Sequence, residues 1–364
     1  MSRRPVIVVE NDPFPRLLRA FLARDDEPEQ TAAIAEFLAH DVADYPAWLR
    51  AARARAGALY PAEVRLASNR AELHAALPDA DAAVVESLPV GEAEIALAPR
   101  LRVVQKYGTV LRNIDAQACA KRGIAVLTQR RRANVACAEH AWALVLALTR
   151  KLTTINGLVS MEALRGAGYA PGMFDARYTP NSNWARIGGL RTLYGTTAGI
   201  IGLGEIGREV ALRAAAFGMS IVYHQRTALS ADDTPSLPAR YCALDALLEC
   251  SEVVFVTLPA NPSTRGLLGA RELARMKPGA LLINVSRAAI VERDAVRAAL
   301  DSGRLGGLGL DAYYDEPGRP DDPLLACANT IITPRVAAQP RHNALSDLSD
   351  IMANLAHALA CRGT

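Results

Sequence analysis

The stretch 197–207, TAGIIGLGEIG, limits what this chain can fold into more than any other. Residues 198–201 form a short apolar run that predicts a buried strand. Gly202, Gly204 and Gly207 follow in the spacing G-x-G-x-x-G, with Glu205 and Ile206 inside it. Residues 208–217, rich in Ala and closed by Gly218, predict a helix, and 219–223 predict a second strand. Glycines alone mark ordinary turns, but here they sit where a strand becomes a helix inside a βαβ unit. That context binds a dinucleotide. Gly202 permits the tight turn, Gly204 lets the backbone approach a pyrophosphate, and Gly207 lets helix and strand pack closely. The unpaired N–H groups and dipole at the helix start then attract the phosphates.

A chain of 364 residues is too long for one small core and predicts two domains. Hydrophobic residues make up 51% and charged residues 22%, the balance of a soluble globular protein. A net charge of +3 and the absence of a long basic run argue against a nucleic-acid partner, since Arg130, Arg131 and Arg132 form the one basic cluster. The apolar run 6–9 after Arg3 and Arg4 is too short for a signal peptide and predicts a first strand. No stretch approaches the roughly 20 apolar residues that span a bilayer, so no membrane partner is expected. Six scattered cysteines, without CxxC or metal-type spacing, predict free buried thiols, a cytoplasmic location and no metal.

Taken in order, the first part of the chain offers strand candidates at 6–10, 63–67, 82–86, 101–106 and 124–127. Helical apolar spacing runs through 14–57, broken by the charged turn 24–28. Strands alternating with helices predict a parallel sheet. No phosphate-binding glycine loop occurs there, so this part is the partner of the dinucleotide unit. Residues 133–151 predict a long helix that is apolar almost all round, of the kind buried between domains or subunits. Residues 157–192 read as irregular. After the glycine unit come strand candidates at 253–258, 280–285, 308–310 and 330–333. From Leu345 onward, Leu348, Met352, Leu355 and Leu359 predict one amphipathic helix.

The end of the second strand of the glycine unit selects the cofactor. An NAD site usually has an acid there for the ribose 2′-hydroxyl, whereas this chain has Tyr223-His224-Gln225-Arg226-Thr227. Arg226 can pair with a 2′-phosphate and Thr227 can add a hydroxyl, so NADP is favoured, with NAD the second choice. Three later strand ends also carry polar groups: Asn284-Val285-Ser286-Arg287, then Asp311 through Glu316-Pro317, then Thr333-Pro334-Arg335. Ligands of open α/β sheets bind at such edges. Arg287 there can hold a carboxylate or polarise a carbonyl.

With these motifs the chain resembles the D-2-hydroxyacid dehydrogenases, the group that includes phosphoglycerate dehydrogenase, glyoxylate/hydroxypyruvate reductase and formate dehydrogenase. The resemblance runs from about residue 101 to 333. It rests on Asn113-Ile114-Asp115, Ala138-Glu139-His140, Leu193-Tyr194-Gly195, the glycine fingerprint, Leu258-Pro259 with Thr264, 277–280, 284–287, and Asp311 with Glu316-Pro317. Residues 1–100 match in layout alone, and 11–62 are longer than usual. The resemblance implies that Arg287 binds the substrate's carboxylate and keto oxygen and that Glu316 partners the catalytic residue. It implies that Asp311 faces the nicotinamide carboxamide. The loop Tyr107-Gly108-Thr109 would grip the substrate carboxylate through backbone N–H groups. Leu258, Pro259, Thr264 and Val285 would line the cofactor.

One departure stands out. The family's proton donor is a histidine directly after the Thr-Pro of the last strand, and this chain has Arg335 there. Histidine titrates near neutrality, whereas an arginine stays protonated and does not shuttle protons. His342 is the nearest alternative in sequence. A second departure is Val110-Leu111-Arg112, where the family prefers a glycine and an acid. A cleft with several arginines favours a small anionic substrate.

The expected architecture is two doubly wound parallel-sheet α/β domains with an interdomain cleft. A Rossmann cofactor domain spans 133–332, and a flavodoxin-like substrate domain combines 1–132 with 333–364. The expected function is NADPH-dependent reduction of a 2-keto acid to a D-2-hydroxy acid, by a homodimer, with atypical proton transfer. Two alternatives stay open: a weakly catalytic or non-catalytic NADP(H)-binding protein, and other chemistry on an anionic substrate.

Overall fold

Strands buried on both faces need apolar residues at every position, and helices must cover them on both sides. The computed structural model, which describes residues 3–229 and 237–360, follows this rule in two separate units. Unit one comprises Met1–Ala136 and Ala338–Thr364, and unit two comprises Cys137–Ala337.

Unit one contains β1 (Val6–Glu10), β2 (Glu63–Ala67), β3 (Ala82–Val85), β4 (Val103–Lys106) and β5 (Ala125–Leu127). They form one parallel sheet in the order β2-β1-β3-β4-β5, the flavodoxin-like order. Alternate residues of each strand enter opposite layers. Ile7, Val9, Ala82, Val84 and Val103 pack with Leu345, Leu348, Ile351, Met352 and Leu355 of the C-terminal helix His342–Ala360. Val8, Ala83, Val85 and Val104 pack with Leu73, Leu77 and Ile95 on the other side. The helical stretch 14–57 is broken twice rather than once, giving Leu18–Leu22, Pro28–Leu38 and Tyr45–Ala56. The second break has a local cause. Asp44 accepts a hydrogen bond from the Ala47 N–H at 2.8 Å, and Pro46 follows in the first turn.

Unit two contains β6 (Thr197–Ile201), β7 (Ser220–His224), β8 (Ala239–Tyr241), β9 (Val253–Val256), β10 (Ala280–Asn284), β11 (Leu305–Leu310) and β12 (Thr330–Ile332). The parallel order is β12-β11-β10-β9-β6-β7-β8, so the strand order reverses between β6 and β9. This is the Rossmann arrangement, with its ligand crevice at the reversal. Strand β8 escapes the hydropathy pattern because it is a three-residue edge strand with Arg240 and Tyr241 exposed. Strand β11 begins three residues before the expected 308, since Gly306 and Gly307 interrupt its apolar run.

The long helix is Arg132–Thr149. Within unit two, the Trp142 ring centroid lies 5.0 Å from that of Phe255 and 4.8 Å from that of Phe217, and its Nε1–H donates to the Val210 carbonyl at 3.2 Å. Residues 157–192 contain one short helix, Met161–Gly166, in a stretch expected to be irregular throughout. Of the cysteines expected to be buried thiols, Cys119 and Cys137 are buried, while Cys242, Cys250 and Cys327 are half-buried; all five are free. Cys361 lies outside the described residues. Among the described residues, no helix is long and apolar enough to cross a membrane, and no group of His, Cys, Asp or Glu is arranged to hold a metal ion.

Candidate active site

The glycine turn lies at the reversal point of unit two. Gly202 follows β6 with φ +100°, a backbone region that favours glycine, and its N–H donates to the His224 carbonyl of β7 at 2.8 Å. The helix is Glu205–Ala216, with Gly204 at its N-cap, so it begins three residues before the expected position. Gly207 is therefore inside the first turn. A Cβ on Gly207 would lie 2.2 Å from the Gly202 carbonyl oxygen, and one on Gly202 would lie 2.7 Å from Leu258 Cδ2. A backbone carbonyl excludes a side chain at 207, while at 202 the positive φ disfavours one. Gly204 differs: a Cβ there would meet nothing within 4 Å, and its backbone is extended, with φ −81° and ψ −157°. Neither packing nor conformation asks for a glycine at 204. The space it leaves is open and lies beside the helix's first N–H groups, the kind of place where anions bind.

The end of β9 braces this turn from the other side of the reversal. The Thr257 hydroxyl donates to the Gly202 carbonyl at 2.6 Å. Thr257 lies inside the strand expected at 253–258, which in the structure ends at Val256, so the hydropathy pattern does not mark it as part of the site. The loop that follows is held by Thr264, whose hydroxyl donates to the Pro259 carbonyl at 2.8 Å and accepts from the Asn261 N–H at 2.9 Å. At the end of β7, the Gln225 side-chain amide donates to the Thr227 carbonyl at 2.7 Å, and Arg226 and Thr227 are exposed.

Strands β10, β11 and β12 are neighbours, and each ends in a polar group. After β10, Asn284 is buried. Its side chain accepts from the Ser286 N–H at 2.9 Å and donates to the Arg287 carbonyl at 2.9 Å, closing a turn that sets the Arg287 backbone. Arg287 Nη1 donates to the Ser286 carbonyl at 2.8 Å. After β11, one oxygen of Glu316 accepts from the Tyr313 N–H at 3.1 Å. The other accepts from Arg335 Nη1, beyond β12, at 3.0 Å. Burial, and next the positive charge of Arg335, hold the Arg287 guanidinium below its usual range, and Glu316 opposes both. Two cations thus share one carboxylate at this edge.

Arg335 also carries backbone strain, with φ +59° on a residue that has a Cβ. The strain is held by Asp311. One of its oxygens accepts from the Thr333 hydroxyl at 2.6 Å and the Val336 N–H at 2.9 Å; the other accepts from the Ala337 N–H at 2.7 Å. Asp311 is only 4% exposed. Its carboxylate, expected to face a cofactor, therefore already serves as the anchor of the 333–337 loop. His140 joins from the long helix, its Nε2 lying 2.9 Å from the Thr333 hydroxyl oxygen and 3.4 Å from Asp311 Oδ1. His342, the alternative proton donor, is exposed at the start of the C-terminal helix.

In unit one, the expected substrate loop follows β4. Tyr107 is buried in the core, with the Arg131 guanidinium 4.2 Å from its ring centroid, and burial pushes its hydroxyl up to about 12. Its side chain is thus structural, and what this strand end offers is backbone at Gly108 (φ +147°) and the exposed Thr109. Next to it, Glu10 Oε2 accepts from the N–H groups of Glu86 (2.7 Å), Ser87 (2.8 Å) and Leu88 (2.9 Å). Lys106 Nζ donates to the Glu86 carbonyl and to Asn113 Oδ1. These contacts lock the turns after β3 and β4 together.

A Rossmann sheet with a glycine turn at its reversal point, and an arginine–glutamate–arginine row on the neighbouring strand ends, defines a dinucleotide-binding α/β protein of the dehydrogenase type. Residues 171–337 match the family described as D-isomer specific 2-hydroxyacid dehydrogenase, NAD binding domain. The chain belongs to the D-2-hydroxyacid dehydrogenase family. It is 33% identical over 265 residues to the glyoxylate reductase of Korarchaeum cryptofilum, covering 73% of this chain and 75% of that protein. It is 31% identical over 306 residues to the D-3-phosphoglycerate dehydrogenase of Archaeoglobus fulgidus, covering 82% of this chain and 54% of that protein. The chain spans about half the length of the phosphoglycerate dehydrogenases it matches. Among solved structures, a Thermus thermophilus protein is 27% identical with a TM-score of 0.52, covering 98% of this chain and 97% of that one. The apo D-mandelate dehydrogenase of Rhodotorula graminis has a TM-score of 0.55, with 97% of this chain and 93% of that one covered; at 20% identity it supports the fold alone.

Proposed function

We propose that this protein reduces a 2-keto acid to a D-2-hydroxy acid with NADPH, NAD(H) being the second choice. The observation that carries the reading is the row Arg287, Glu316 and Arg335 on three adjacent strand ends of the unit that bears the glycine turn. In this reading unit two is the cofactor domain, expected at 133–332, and unit one is the substrate domain, expected at 1–132 with 333–364; Arg335 falls in unit two. The dinucleotide lies along Gly202, Gly204, Glu205, Ile206 and Gly207, with Gln225, Arg226 and Thr227 at its adenosine end. Leu258, Pro259, Thr264 and Val285 line it, and Asp311 supports it through the 333–337 loop. The bound cofactor supplies the hydride.

Arg287 holds the substrate carboxylate and polarises the keto oxygen, stabilising the alkoxide that develops. Backbone N–H groups at Gly108 and Thr109 orient the acid. Arg335 adds positive charge beside the same oxygen but releases no proton to it, so water supplies the proton and ordinary 2-keto acids turn over slowly. The five free thiols suit a cytoplasmic location. The test is steady-state oxidation of NADPH with a panel of 2-keto acids. Activity that survives Arg287→Ala undiminished would reject the assignment.

A second reading, a weakly catalytic or non-catalytic NADP(H)-binding protein, is favoured by one observation: the Glu316–Arg335 ion pair stands where an acid–base pair would be. Other chemistry on an anionic substrate fits the same row of charges.

Two results are expected from this reading. NADP should bind at least tenfold tighter than NAD, a difference of about 1.4 kcal/mol, and Arg226→Ala should erase most of it. Equal affinities of the two dinucleotides for the unaltered protein, measured by calorimetry, would end the NADP preference. The protein should also sediment as a homodimer at micromolar concentration. On the long helix, Ala143 is exposed and Leu146, Ala147 and Leu148 are partly exposed, an apolar strip that a second copy would cover. A monomer in sedimentation would end that proposal.

A further inference from the structure

Residues 312–321 carry Glu316 away from the sheet between two buried acids, Asp311 at the end of β11 and Asp322. Among the described residues, no backbone–backbone hydrogen bond joins 312–321 to a strand or a helix. A loop without such bonds is held by its side chains or opens readily.

The side chains that hold this loop converge on one short run, 291–293. The Tyr314 hydroxyl donates to the Val291 carbonyl at 3.0 Å. Arg293, the first residue of the helix Arg293–Asp301, makes the other contacts. Its Nη1 donates to Asp315 Oδ2 at 3.2 Å, and its Nη2 pairs with Asp322 Oδ2. Its guanidinium carbon lies 5.7 Å from the Tyr313 ring centroid and 5.6 Å from that of Tyr314, within cation–π range. A planar guanidinium can engage two carboxylates at once and stack on rings as it does so. Arg293 thus grips the loop on both sides of Glu316. The far end of the grip is fixed, since the other oxygen of Asp322 accepts from the Leu324 N–H at 2.9 Å.

The run 291–293 also belongs to Arg287, from which one turn, Ala288–Ile290, separates it. Backbone hydrogen bonds pin this run. The Leu268 N–H donates to the Ile290 carbonyl at 3.1 Å, and the Glu292 N–H donates to the Leu268 carbonyl at 3.0 Å. Arg287 and the loop of Glu316 are therefore referred to the same piece of backbone.

We propose that Arg293 is a positioning residue: it fixes where Glu316, and through it Arg335, stands relative to Arg287. It acts through the loop and touches no substrate. The inference rests on the reading in which that row receives a 2-keto acid.

Calorimetric titration of the NADPH-loaded full chain with oxalate, a stand-in for a 2-keto acid that takes no hydride, tests it. Arg287→Ala should abolish oxalate binding, which checks the row itself. Arg293→Met should weaken oxalate by about tenfold or more, because a small misplacement of the groups that hold an acid is costly. Arg293→Lys keeps the cation and should recover part of that loss. NADPH affinity should stay the same in both, because the glycine turn follows β6, two strands away from β10. Arg293→Met leaves the buried Asp322 without its cation and can unfold the chain. Asp315→Ala is therefore the second variant. Asp315 is exposed, and its loss should weaken oxalate by about threefold, the reach of an exposed ion pair, with NADPH affinity unchanged. Unchanged oxalate affinity in Asp315→Ala, or in a folded Arg293→Met, would overturn the inference. A fall in NADPH affinity that matches the fall for oxalate, or no recovery with lysine, would make Arg293 merely structural and overturn it too. Absence of oxalate binding, or binding that survives Arg287→Ala, would reject the reading of the row and this inference with it.

Discussion

Replacing Arg335 with histidine is expected to raise turnover of 2-keto acids by about 10²-fold or more, the contribution of a positioned general acid. The surroundings are ready for it. Glu316 is held through one oxygen by the Tyr313 N–H, and its other oxygen, now 3.0 Å from the Arg335 guanidinium, would meet an imidazole nitrogen instead. The backbone also suits the exchange. Position 335 has φ +59°, and histidine is several-fold enriched among the non-glycine residues that adopt such angles. The variant should acquire a pH dependence. The carboxylate of Glu316 would favour the imidazolium and raise its pKa above the ordinary value near 6.5. Reduction uses the protonated form, so the rate should be full below that raised pKa and decline as pH rises through it. The measurement is steady-state NADPH oxidation across pH for both proteins. Brisk turnover by the native protein, unaffected by His342→Ala, would show that Arg335 or an unnamed donor already performs the proton step.

The second large effect separates two glycines of the fingerprint. Gly207→Ala should cost about 1–3 kcal/mol and lower the unfolding temperature, because its Cβ would lie 2.2 Å from a backbone carbonyl oxygen that Thr257 already holds. The turn must shift, and dinucleotide affinity should fall more than tenfold with it. Gly204→Ala should behave differently. Nothing stands within 4 Å of its added Cβ, so the unliganded protein should lose no more than about 1 kcal/mol, the cost of alanine at an N-cap. Its loss should appear in dinucleotide affinity, again at least tenfold, as the methyl fills the space assigned to the pyrophosphate. Thermal unfolding with and without NADPH, together with calorimetry, reads both effects. A Gly204→Ala variant that binds NADPH like the native protein would mean the pyrophosphate lies elsewhere.

The two glycines also mark where local reading stops. Their spacing is visible in the sequence, but the helix start at Glu205 is not, because two glycines within four residues weaken helix propensity. Tertiary contact between Gly207 and the Gly202 carbonyl turns the end of the motif into the helix's first turn. Elsewhere the chain's pattern was enough. Strands β1 and β2 occupy the expected residues, β1 because every position is apolar or lies at its end, and β2 because it is bounded by turn residues. The short polar edge strand β8 has no such pattern.

What the sequence by itself determined is therefore local: parallel sheets from apolar runs alternating with helices, a dinucleotide turn from three glycines, and an arginine where a histidine is expected. What the tertiary structure decided is long-range. Asp311 is spent on residues 22 to 26 positions away, and His140 meets Thr333 across 193 positions. Asp44 and Pro46 cap a helix through neighbours, a signal present in the sequence, but no local pattern records that a buried carboxylate has its acceptor sites filled by a distant loop. Hydrogen bonds of that kind depend on which strand ends the sheet order makes adjacent. That order places β10, β11 and β12 side by side and brings Arg287, Glu316 and Arg335 to one edge.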